Sequence, residues 1–123
     1  MKIRPERVAQ RMRREVADIL ENKLRDPRVT GLVSVTDVEV SHDLSFAKVY
    51  VSVLEEGPAR AQALEALRHA SGFVRHALRP RLGLREVPEI RFLLDTSIER
   101  GARVEDILRR LDRGETLPDE DGA

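Results

Sequence analysis

The chain has 123 residues, 41% hydrophobic and 36% charged, which suits one soluble globular domain with a single core and a heavily charged surface. It contains no cysteine, so disulfides and thiolate metal sites are excluded. No apolar run is long enough to span a bilayer and the N-terminus lacks the apolar stretch of a secretory signal, so a cytoplasmic location is expected.

The zero net charge hides a segregation. Residues 1–14 carry Lys2, Arg4, Arg7, Arg11, Arg13 and Arg14 against Glu6 alone. Residues 68–91 carry Arg68, Arg75, Arg79, Arg81, Arg85 and Arg91 against Glu86 and Glu89. Residues 113–123 carry Glu115, Asp119, Glu120 and Asp121 against Arg113 and are expected to be a disordered tail. Two basic blocks and an acidic end suggest a polyanionic partner met by part of the surface.

Pro5 opens the first helix, where its missing N–H costs nothing. Val8, Met12, Val16, Ile19, Leu20 and Leu24 form one apolar stripe, and Arg4, Arg7, Arg11 and Arg14 a second, well rotated from it. Asp26-Pro27 ends the helix. Residues 32–41 read as a strand whose valines change parity between Val35 and Val38. A bulge near Thr36-Asp37 would restore one facing. His42-Asp43 is a turn, and residues 45–54 alternate with Ala47, Val49, Val51 and Val53 on one face. A second helix starts at Gly57-Pro58, bends at Gly72, and is stopped by Pro80 and Gly83. Arg68, Arg75 and Arg79 share a stripe with Gly72 on it. Gly72 either eases tight packing or leaves a bare spot where a phosphate backbone approaches closely. Ile90, Phe92 and Leu94 mark a third strand. A last helix, capped at Ser97 or begun after Gly101, puts Val104, Ile107, Leu108 and Leu111 on its apolar side. The order implies an α+β sandwich of two layers, with helices on one face of a three-stranded sheet.

Enzyme chemistry finds little footing. His42, His69 and His76 have no metal-ligand spacing, and His42-Asp43 lacks the further ligands a metal-dependent phosphohydrolase needs. No serine stands in a nucleophile elbow and no phosphate-binding glycine loop occurs. Phe46 and Tyr50 beside Lys48 look like a base-stacking platform, but with three Phe, one Tyr and no Trp they are better read as covering the sheet or packing on the last helix. Carboxylates do not interleave with the first arginines as on an ordinary solvated helix, which favours nucleic-acid contact. A module binding an acidic protein is the alternative.

Four segments together resemble bacterial ribosome-binding factor A: Arg7-Val8-Ala9 with Asp26-Pro27-Arg28; residues 38–51 from Val38-Glu39-Val40 to Val49-Tyr50-Val51; Ala70-Ser71-Gly72-Phe73-Val74-Arg75; and Val87-Pro88-Glu89-Ile90 with Phe92 and Asp95. The similarity spans roughly residues 4 to 111. It implies a type II K-homology-like domain over residues 1–112, kinked at Ala70-Ser71-Gly72 where ordinary K-homology domains carry a G-x-x-G loop. It also implies a non-enzymatic factor without cofactor or metal that binds 16S rRNA in the 30S subunit, assists late maturation and is linked to growth in the cold. The candidate RNA contacts are Arg4, Arg7, Arg11, Arg14, Arg68, Ser71, Gly72, Arg75 and Arg79. A monomer is expected, because no leftover apolar stripe stands out.

Overall fold

The protein is described by a computed structural model over residues 3–29 and 33–114, with backbone alone for 98–103. Its elements are α1 (Pro5–Asn22), β1 (Val33–Val40), β2 (Phe46–Val53), α2 (Pro58–His69), α3 (Ser71–Leu82), β3 (Glu89–Leu94) and α4 (Ser97–Asp112). The sheet order is β1-β2-β3, with β1 and β2 antiparallel and β2 and β3 parallel.

The parity change in β1 is resolved by a bulge. Val33 and Val35 pair with Val53 and Val51; Val38 and Val40 pair with Val49 and Ala47. The register shifts between Val35 and Asp37, so Thr36 is the extra residue and all four valines face the helices. The Thr36 hydroxyl donates to Asp95 Oδ2 (2.6 Å) and lies 3.3 Å from the Tyr50 carbonyl, which pins the bulge to the end of β3.

One core joins Val8, Met12, Val16, Ile19 and Leu20 of α1 to Ala47, Val49 and Val51 of β2, Leu67 of α2, Val74 and Leu78 of α3, and Ile90 and Phe92 of β3. Phe92, Met12, Ile19, Leu67 and Leu78 are fully buried, each contributing about 1.5–3 kcal/mol of apolar transfer. Within this layer α1 packs on β1 and α3, while α2 and α3 pack on β3.

Four expectations need correction. The helix expected to reach Asp26-Pro27 stops at Asn22. Asp26 forms a separate turn, accepting from the Arg28 N–H (2.9 Å) and pairing with its guanidinium (2.9 Å). The helix expected to bend at Gly72 is two helices that break at Ala70, the first residue of the expected Ala70-Ser71-Gly72 kink. Pro80 does not stop α3: in the last turn its missing donor forfeits one hydrogen bond, and the helix continues to Leu82 until Gly83 takes the left-handed conformation (φ 64°). Finally, α4 does not turn its apolar stripe inward. Val104, Leu108 and Leu111 are 53%, 56% and 51% exposed, and no described α4 residue joins the core, so an apolar stripe is left over after all. Of the expected tail, 113–123, only Arg113 and Gly114 lie within the described residues.

Candidate nucleic-acid interface

Arg4, Arg7, Arg11 and Arg14 are exposed along α1, and none is held by a hydrogen bond or ion pair among the described residues. Their stripe continues, one helical turn on, into Glu15 and Asp18. Those two carboxylates accept from Arg81 Nη1 of α3, at 3.0 and 2.5 Å. The α1 arginines therefore lie on the flank of α1 that turns towards α3. The Arg81 contact holds the Asp18 carboxyl below its ordinary value, with help from the Asn22 amide.

The kink arginines behave differently. Arg75 donates from Nε (3.0 Å) and Nη2 (2.8 Å) to the Val87 carbonyl. Arg68 Nε donates to the Phe92 carbonyl (3.3 Å). Glu89 N–H donates to Ser45 O and Asp95 N–H to Val51 O, so odd-numbered residues of β3 turn their backbone towards β2. The carbonyl of Phe92 then points off the open side of the sheet, and Arg68 covers that unpaired edge. A guanidinium has five donors, so Arg68 keeps four and Arg75 three for an outside acceptor. Arg79, one turn beyond Arg75, is exposed and has no partner among the described residues.

The side chains around α3 reach two ways: Arg81 to Glu15 and Asp18 of α1, and Arg68 and Arg75 to the carbonyls of Phe92 in β3 and Val87 just before it. Arg81, expected only as part of the basic block, is neutralised between the helices. Ser71 is half-buried and lines a shallow hollow with Arg68, Ile90, Arg91 and Phe92. Arg91 was not singled out from the sequence. It alternates with core residues of β3, but nothing local reveals that Ser71 lies beside it.

Gly72 is exposed in the first turn of α3, and a Cβ built on it meets no heavy atom within 4 Å. Its φ is not positive either. The chain's own packing does not require glycine there, which overturns the tight-packing reading.

On the open sheet face the Arg91 guanidinium stands 4.9 Å from the Phe46 ring centroid. Tyr50 Oη donates to Glu39 (3.4 Å), and burial, then Glu39, push its phenol pKa up. Both aromatics are engaged within the fold, as expected of rings covering the sheet. Asp43 accepts from the hydroxyls of Ser45 (2.7 Å) and Ser41 (2.8 Å) and from the Ser45 N–H (3.1 Å), which lower its pKa to about 2. His42-Asp43 is a self-contained turn. Among the described residues no three His, Cys, Asp or Glu side chains group to hold a metal, and no helix is long and apolar enough to cross a membrane.

An α-β-β-α-α-β domain with a kinked helix pair and no G-x-x-G loop defines a K-homology-like α+β class. The sequence profile described as Ribosome-binding factor A matches residues 4–108. Ribosome-binding factor A of Acetivibrio thermocellus is 48% identical over 101 residues, covering 82% of each chain. That of Desulforamulus reducens is 42% identical over 118 residues, covering 96% of this chain and 98% of its own. The crystal structure of ribosome-binding factor A from Thermus thermophilus superposes with a TM-score of 0.66 at 31% identity, over 73% of this chain and 93% of that one. Coordinates of the Thermus thermophilus factor fitted into a cryo-EM map of its complex with 30S give 0.60 at 32% identity, over 72% and 91%. This chain belongs to the ribosome-binding factor A family.

Proposed function

We propose that the protein is a non-enzymatic assembly factor of the small ribosomal subunit, acting in the cytoplasm through residues 1–112. It grips 16S rRNA through Arg4, Arg7, Arg11, Arg14 and Arg79, with Arg68 and Arg75 presenting their remaining donors beside Ser71 and Gly72. The observation that carries this reading is the set of five exposed guanidiniums that have no partner among the described residues, on or at the start of two packed helices of a chain with zero net charge. Paired guanidinium donors position a phosphate backbone without reading its bases, as a factor docking on folded rRNA requires. Such docking late in maturation favours the mature fold of the RNA, and the effect matters most in the cold, where misfolded RNA persists. The family relative fitted into a complex with 30S supports the choice of subunit.

Cosedimentation with purified small and large subunits over a salt series tests this. With about six phosphates neutralised, log affinity for the small subunit falls with log salt at a slope of about −4 to −5. A slope near zero, or equal binding to both subunits, defeats the reading. The exposed α4 stripe favours a second reading, a module that docks a protein. Retention of binding on intact subunits with none on protein-stripped 16S rRNA would select it.

A further inference from the structure

The chain has four aromatic side chains, and three are accounted for within the fold. Phe92 is fully buried, Phe46 lies under the Arg91 guanidinium, and Tyr50 bonds Glu39. Phe73 is 48% exposed, in the first turn of α3. Half-exposing a phenyl ring forgoes part of the stabilisation its burial would contribute. The core needs no ring there: Val74 and Leu78 already fill the inward face of α3.

The neighbours of Phe73 say what it meets. Gly72 beside it leaves open space where any other residue would project a side chain. His76, one turn on, and His69, one turn back across the kink, are both exposed, His69 with its Nε2 4.0 Å from Glu65 Oε1. The helix that carries the ring, Ser71–Leu82, has Arg75 and Arg79 besides the neutralised Arg81, and no carboxylate of its own. A cationic helix without acidic residues repels a basic protein and attracts a polyanion. An aromatic ring on such a surface, with imidazoles on either side able to donate to or accept from ring nitrogens and carbonyls, suits a polyanion that has flat π faces.

We propose that Phe73 is a stacking site for one unpaired nucleobase of the bound RNA, with Gly72 giving the nucleotide's backbone room to approach and His76 contacting the base edge. This rests on the rRNA-binding reading above and adds to it: arginine–phosphate contacts need no unpaired base, whereas stacking does. It also places one defined contact on the outward face of α3.

The chain contains no tryptophan, so Phe73→Trp installs a single fluorescent reporter at the site. On titration with protein-stripped 16S rRNA its emission is expected to be strongly quenched by the stacked base. Phe73→Leu, which keeps an apolar helix-forming residue, is expected to bind that RNA about five- to hundred-fold more weakly, and Phe73→Tyr within about threefold of the parent chain. Circular dichroism melting of each variant shows whether it is folded; if Phe73→Leu does not fold, the quenching measurement decides alone. If the Trp variant is retained on the RNA by filter binding but its emission is unchanged, stacking is refuted while rRNA binding stands. If neither parent nor variant is retained, the rRNA-binding reading itself has failed. A Phe73→Leu loss seen only on intact subunits means a ribosomal protein meets the ring, which also overturns the proposal.

Discussion

The arginines of α1 and those around the kink are the same residue doing different work. Arg4, Arg7, Arg11 and Arg14 are exposed and have no partner among the described residues. Arg68 and Arg75 are tied to the carbonyls of Phe92 and Val87. The tethers hold the helix pair against the unpaired edge of β3 and, by fixing each guanidinium plane, reduce the entropy lost when its other donors take up a phosphate. The α1 set offers charge without orientation. A charged stripe read from spacing alone cannot distinguish these cases, because the difference lies in what the rest of the fold supplies as acceptors.

The largest test of that contrast removes the free set. Changing Arg4, Arg7, Arg11 and Arg14 together to Gln is expected to weaken small-subunit binding on the order of a thousandfold near 0.1 M salt and to flatten the log–log salt slope by about 3. The melting temperature should hold, since no hydrogen bond or ion pair among the described residues is lost. A large drop in melting temperature with an unchanged slope would show that the stripe is structural. The tethered set responds the other way round. Arg75→Gln should lower folding stability by about 1–3 kcal/mol in urea denaturation, because the Val87 carbonyl loses two charge-assisted donors. Its effect on the salt slope should be no more than about 1. Full stability in this variant would mean the tether contributes nothing.

Much of the fold was legible because its signals are local. Proline at the starts of α1 and α2, the period-2 run of Ala47 to Val53, and the parity change that demands a bulge at Thr36 all sit within a few residues of what they specify. The missed features depend on distance along the chain. The acceptor for Arg75 is 12 residues away and that for Arg68 is 24, while Arg81 meets Asp18 from 63 residues off. The stripe of α4 has the periodicity of a buried helix, but on the open sheet face Phe46 already has Arg91 over it and Tyr50 is bonded to Glu39. The candidate site was therefore half readable: its charges and its glycine stood out, and its division into free and tethered guanidiniums did not.

Gly72 sharpens the contrast on a smaller scale. Glycine inside a helix costs about 1 kcal/mol relative to alanine, and no described residue crowds the position. Gly72→Ala should therefore raise stability by up to about 1 kcal/mol, and Gly72→Val should leave it nearly unchanged. Both should weaken subunit binding, valine more than alanine, because the added atoms stand where the partner's backbone passes. Parallel losses of melting temperature and binding would restore a structural role for the glycine.

The smallest effect belongs to the contact between α3 and α1, Arg81 with Glu15 and Asp18. Arg81, and then Asn22, lower the Asp18 pKa from its ordinary 3.8. A carboxylate whose folded pKa is depressed adds stability above its unfolded pKa and loses it as pH falls through the folded value. Arg81→Gln should thus melt below the parent chain near pH 6, with the gap narrowing as pH drops below about 3.8. Asp43 provides the internal comparison. Its pKa is lowered to about 2 by hydroxyl and amide donors rather than by a cation, so its acid-side loss should be the same in both proteins. Melting curves taken every half unit from pH 7 to 2 separate the two. A gap that stays constant across the range would mean that the ion pair joins α1 to α3 by packing of the Arg81 stem and not by its charge.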